Sequence, residues 1–318
     1  MSVRDYPVEE FLWGLGAGLV AVAVAVGAAA VAGRTRSGAH PAPATGLLMG
    51  IAALLAMSPS RAPTAGLLLG LAGVTAAASL AAERRSAPGV APLLTAVLLA
   101  SPFAWLLAID ASSVGWVRAV VVAGATLAPV AVARTDTEWA STGLTPVLYT
   151  VTAAGVFAAV PNTRDAAALL GASVPGALAG WPSGCANLGR AGAAGTSALL
   201  VWVAAAGSLG REPALVGALA CLGLLATLPA GRWLAGRWID RRPRARLRVV
   251  AAPLSVLVVH AVVVSVASRV AGVSHELRIA VPVAVAAMVS AVMASAWLRA
   301  DAVSTASDQL LRTNSRSD

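Results

Sequence analysis

Apolar runs of about 20 residues recur along almost the whole chain, and only short polar breaks separate them. A helix rises about 1.5 Å per residue, so one such run matches the roughly 30 Å hydrocarbon core of a bilayer. Inside that core every backbone N–H and C=O must find its partner within the protein, and a helix satisfies them all locally. A chain that repeats this length is therefore expected to cross a membrane many times.

Composition points the same way. Only 12% of the 318 residues are charged and 58% are hydrophobic, against about 25% charged in an ordinary soluble domain. Too few polar side chains remain to cover a water-facing surface. No break between runs exceeds about 20 residues, too little for a separate soluble domain. The expected fold is an all-α integral membrane protein, a polytopic bundle of about ten or eleven transmembrane helices over residues 1–299. The polar, Ser/Thr-rich tail at 300–318 is expected to be disordered and cytoplasmic.

The expected spans are 10–33, 45–57, 64–82, 92–109, 116–133, 144–160, 166–179, 191–207, 214–229, 249–270 and 278–297. Two of them are short. A straight helix over 45–57 covers only about 20 Å, so it reads as a half-helix, a buried span, or one arm of a pair with its successor. The 166–179 stretch poses the same question. Before the first span stand Asp5, Glu9 and Glu10 against Arg4, which is not the basic lead of a signal peptide, so that span is expected to remain a helix.

Arginine orients the bundle. The net charge is +9 and no residue is lysine, a bias that fits a high-GC bacterial genome. Arg237, Arg241, Arg242, Arg244, Arg246 and Arg248 crowd one short loop, and basic short loops stay cytoplasmic. Counting back across the spans puts Arg34, Arg36, Arg84, Arg85, Arg134 and Arg190 inside too. Single arginines, among them Arg61, Arg118 and Arg164, fall outside. The amino terminus is thus expected outside and the carboxyl terminus inside. Most arginines stand singly between spans, which disfavours nucleic acid as a partner.

Trp13, Trp116, Trp139, Trp233, Trp238 and Trp297 lie near span ends, where an amphipathic ring suits the headgroup level. Trp105 and Trp202 sit deeper and are read as packing residues. Gly46-Leu-Leu-Met-Gly50 recurs as Gly66-Leu-Leu-Leu-Gly70, and both are read as close helix contacts. Cys185 and Cys221 have no CxxC or Cys/His neighbourhood, so they are read as buried spectators, with no metal or cofactor expected.

All fourteen Asp and Glu fall at span ends or in loops. Coupled transporters usually keep a carboxylate or an unwound polar segment near the midplane, so this placement argues against one. His260 is the one ionisable side chain deep in a span. It is expected to be a neutral imidazole bonded to a neighbouring helix, with a ligand or relay role as the alternative. The 231–248 loop, with Trp233, Trp238, Arg241, Arg242, Arg244, Arg246 and Arg248, is the candidate headgroup site, each arginine contributing about 1 kcal/mol against an anionic surface. In the outer loops, Arg164/Asp165, Arg211/Glu212 and Glu276/Arg278 read as solvated pairs or helix caps, with Asn162 or Thr163 as a cap.

The stretch His40-Pro-Ala-Pro-Ala-Thr-Gly-Leu-Leu-Met-Gly and, one span later, Ala82-Glu-Arg-Arg-Ser-Ala-Pro-Gly-Val-Ala-Pro resemble polyprenyl-phosphate sugar-1-phosphate transferases. Those enzymes have similar length and span number, and a paired-aspartate motif serves their Mg²⁺ and lipid phosphate. Here that place holds only Glu83, and the later Asn/Asp-rich and His-rich motifs are missing. The resemblance implies at most a degenerate relative without catalytic residues.

The leading expectation is therefore a non-enzymatic membrane protein of the bacterial cell envelope, multi-pass in the plasma (inner) membrane. It would act as a scaffold or accessory subunit that handles lipid, with membrane lipids, anionic ones above all, and other membrane proteins as partners. A transporter or flippase for a lipid-linked or small apolar substrate is the second expectation, and the degenerate transferase the third.

Overall fold

The computed structural model describes residues 7–31, 45–57, 62–84, 91–139, 144–180 and 186–208, together with Leu215, Ser274, Leu277 and Ala284. The described residues form eight helices and no strand: α1 (Val8–Val31), α2 (Thr45–Met57), α3 (Ala62–Arg84), α4 (Ala91–Ala111), α5 (Gly115–Trp139), α6 (Leu144–Ala159), α7 (Arg164–Gly180) and α8 (Arg190–Ser208). Each overlaps one expected apolar run, and α2 has the expected bounds at both ends. Expected spans 9–11 lie outside the described residues apart from Leu215 and Ala284. Two helices, Val8–Val31 and Ala191–Ser208, are long and apolar enough to cross a membrane by length and composition.

The helices alternate in direction. Gly14 meets Ala168 and, one turn later, Gly18 meets Ala172, so α1 and α7 run parallel. Gly192 meets Gly46 and Thr196 meets Gly50, which makes α2 and α8 parallel as well. Between the two sets, Gly176 near the end of α7 meets Met49 near the start of α2. The hairpins α4–α5 and α6–α7 turn within three or four residues. Odd-numbered helices thus run one way and even-numbered helices the other.

At the centre is α8. Residues 199–203, which cover its whole circumference, are each at most 1% exposed, and the helix touches α2 through α7. A helix that is apolar all round belongs inside. By contrast, among the described helices α1 packs chiefly against α2 and α7 and turns Leu12, Trp13, Leu19, Val20 and Val24 outward.

Small residues set the packing distance. An added Cβ at Gly14 or Gly18 would strike the Ala168 or Ala172 carbonyl, and one at Gly171 would strike the Phe11 carbonyl. Backbone therefore lies against backbone, the arrangement that Gly and Ala permit between helices. Of the two expected glycine pairs, Gly46 and Gly50 do pack on α8. In the other, Gly70 packs against Phe103 while Gly66 has open space, so that pair is only half a contact.

Interior hydroxyls mostly stay on their own helices. Thr75 donates to Leu71 O, Thr152 to Leu148 O, Thr196 to Gly192 O and Ser208 to Ala205 O. Between helices, the Tyr149 hydroxyl donates to Thr196 O at 3.3 Å and Thr150 Oγ1 to Ser173 O at 3.1 Å. One hydroxyl mends a break: Pro102 brings no N–H for the Leu98 carbonyl four residues back, and Ser101 Oγ donates to that oxygen at 2.8 Å.

Candidate functional site

Arg241, Arg242, Arg244, Arg246, Arg248, Trp233, Trp238 and His260 lie outside the described residues. The site that the described residues do assemble lies around Asp110.

Asp110 is the second-last residue of α4, where the helix gives way to the 112–114 turn. Its Oδ2 accepts two hydrogen bonds from other helices, one from Trp202 Nε1 of α8 at 3.0 Å and one from Thr64 Oγ1 of α3 at 3.1 Å. No described residue is bonded to Oδ1. A charged acceptor makes the stronger kind of hydrogen bond, so this carboxylate staples three helices at one end of the bundle.

The turn itself is held by its own polar atoms. Ser112 N–H donates to Ala108 O, closing α4, and Ser112 Oγ accepts from Val114 N–H at 3.1 Å. Arg118, on the first turn of α5, donates from Nε to Ser112 O at 2.7 Å. A cation beside a helix's last carbonyls is favourably placed. Beside this turn lies an open cleft of about 390 Å³, lined by Asp110, Ser112, Ser113 and Val114 on one side and by Ala205 and Ala206 of α8 on the other. The α6–α7 turn is tied to the same end of α8, with Asn162 N–H donating to Gly207 O.

Among the described residues, a second, half-open groove between α2, α3 and α8, lined by Gly46, Gly50, Leu68, Gly195 and Thr196, holds only about 20 Å³. At the other end of α8, Thr145 Oγ1 and Asn187 Oδ1 are buried without a hydrogen-bond partner among the described residues. Gly189, with φ of 71°, then starts α8 in a backbone conformation natural to glycine.

One sequence reading needs correction, that of Trp105, and two others, those of Trp202 and Arg164, gain a partner on another helix. Trp202 is buried, as expected of a packing residue, but it also donates a hydrogen bond between helices. Trp105, read the same way, is 52% exposed on the outer surface of α4. The sequence shows its depth along the helix, whereas its direction depends on which faces of α4 the neighbours α3, α5 and α8 cover. Likewise Arg164 reaches not only along its own turn: its Nε lies 3.4 Å from Glu10 Oε1 of α1. With the Arg164 side chain 79% exposed, such a pair is worth at most about 1 kcal/mol.

The Asp110 site was missed because an acid at a span end looks like any interfacial acid. Its signal lies in partners 46 and 92 residues away in sequence. The protein is thus an all-α helical bundle with a polar cleft at one end. Comparison with protein-family models and with curated proteins finds no match to this chain.

Proposed function

We propose that this chain is a multi-pass protein of a bacterial plasma membrane, amino terminus outside and carboxyl terminus in the cytoplasm, that serves as a helix-packing scaffold or accessory subunit. The observation that carries the reading is the apolar outer face of the bundle: Leu12, Trp13, Val20, Leu98 and Leu99 are more than half exposed, while Gly14, Gly18 and Gly46 let helix backbones meet inside. In water such flanks would be an aggregation liability. In lipid they cost nothing, and helix association then rests on close packing and interhelical hydrogen bonds, which is the interior described above.

The scaffold reading, rather than a transporter, is favoured by the close approach of the glycine and alanine backbones. The apolar flank of α1 is the natural partner surface. In the same reading the arginines of 231–248 lie on the cytoplasmic side against anionic headgroups.

A photo-crosslinking amino acid at Leu19 or Val20, activated in native membranes, tests it. Discrete protein adducts at these positions, and none from Gly50 inside the bundle, are expected. Lipid-sized adducts alone would remove the accessory-subunit reading and leave an isolated bundle.

A further inference from the structure

We propose that the cleft beside the α4–α5 turn binds a primary ammonium group, with Asp110 Oδ1 as its principal acceptor. The carboxylate is oriented before any ligand arrives. Its Oδ2 is held by Trp202 Nε1 at 3.0 Å and by Thr64 Oγ1 at 3.1 Å, from two helices other than its own. That leaves Oδ1 as the carboxylate oxygen free to meet a ligand. Both donors are neutral, so neither cancels the negative charge. The basic residue of this turn, Arg118, commits its Nε to Ser112 O.

The remaining lining selects among cations. An ammonium group has three donors to satisfy, and three of the residues that line the cleft, Asp110, Ser112 and Ser113, carry side-chain acceptor oxygens. Ser112 Oγ already accepts from Val114 N–H, and a hydroxyl oxygen has a second lone pair for the ligand. Ala205 and Ala206 supply an apolar wall for the carbon that carries the nitrogen. A volume of about 390 Å³ lies in the range of small-molecule pockets. None of the lining residues is aromatic, which disfavours a quaternary ammonium, whose recognition relies on aromatic faces. Hard divalent ions take six or more oxygens, and no group of three ligating side chains occurs among the described residues.

A primary ammonium reaches this cleft either on a lipid headgroup or as a free small amine. The lipid source rests on the membrane reading above, while the free amine does not, so the two fail separately. The test uses the full-length protein in a buffer free of primary amines. Thermal unfolding is followed against ethanolamine, with choline as the control. In parallel, native mass spectrometry counts the phosphatidylethanolamine retained from nanodiscs that also contain phosphatidylcholine.

Ethanolamine is expected to raise the unfolding temperature in a saturable way and choline is not. Asp110→Asn keeps an acceptor for Trp202 and Thr64 but removes the charge, and should weaken ethanolamine binding at least about tenfold. Ser113→Trp fills the cleft from its exposed rim without touching the staple, and should do the same. Should Asp110→Asn fail to fold, Ser113→Trp decides alone. Loss of lipid retention in the variants assigns the lipid source, and unchanged retention assigns the free amine. No ethanolamine-dependent shift together with no lipid preference in the wild type, or binding undisturbed in both variants, overturns the proposal.

Discussion

Pro102 and Ser101 show how one residue's defect is repaired by its neighbour. The proline leaves the Leu98 carbonyl without its helical donor, and the Ser101 hydroxyl takes over at 2.8 Å on an outward-facing part of α4. Under the membrane reading proposed above, an unpaired carbonyl on this face has no water to turn to. Ser101→Ala should therefore lower stability in detergent by about 1 kcal/mol. Pro102→Ala restores an N–H at that position, so adding it to Ser101→Ala should recover most of the loss. A double-mutant cycle by equilibrium unfolding reads the coupling, and strict additivity would show that the hydroxyl plays no such part. The adjacent residues Ser and Pro are visible in the sequence, but their bond is visible only in the structure.

Among the elements, α1 and α7 make the tightest pair, because Gly14, Gly18 and Gly171 let the two backbones touch. Adding a methyl group at Gly14 forces the helices apart, and overpacking of this kind typically costs about 1–3 kcal/mol. At Gly16 nothing lies within 4 Å of an added Cβ, and alanine is the better helix former by about 1 kcal/mol. The two substitutions should therefore move stability in opposite directions, Gly14→Ala downward and Gly16→Ala unchanged or upward, in thermal unfolding followed by circular dichroism. Equal effects would mean that α1 does not pack on α7 through Gly14. The short α2 finds its place here too. At 13 residues it is too short to cover 30 Å; it packs against α1, α7 and α8 with Met49, Ala53 and Leu54 buried and Leu55 exposed, its Gly46 N–H donating to Leu188 O.

At the scale of the whole molecule, alternation of direction among the eight described helices puts Glu10, Asp110, Arg118 and Arg164 at one end of the bundle, the end that lies outside in the proposed orientation. With Cys185 and Cys221 replaced by serine, a cysteine at Ser113 should react with an impermeant thiol reagent in intact cells. Cysteines at Ala245 and Ser315 should react only after the membrane is opened. Labelling at Ala245 in intact cells would invert the orientation or dismantle the span count.

Eight helices could be read from the linear pattern because an apolar run of helical length has few other folds open to it; their bounds followed less closely, since α5 runs on through Arg134, Asp136 and Glu138 to Trp139, six residues past the expected end. Direction along each helix was legible for the same reason. What the pattern could not supply was rotation about each axis and the choice of neighbours. Nearly every residue in these runs is apolar, so no polar stripe marks an inner face, and the amphipathic signal that orients a helix in a water-soluble fold is absent. Those decisions fell to steric fit. Gly14 could lie against Ala168, α8 could be enclosed on every side, Trp202 turned inward while Trp105 turned outward, and an unremarkable acid at a span end came to lie between Thr64 and Trp202. Such fits depend on residues brought together from 46 to 154 positions apart, a distance over which no local pattern carries information.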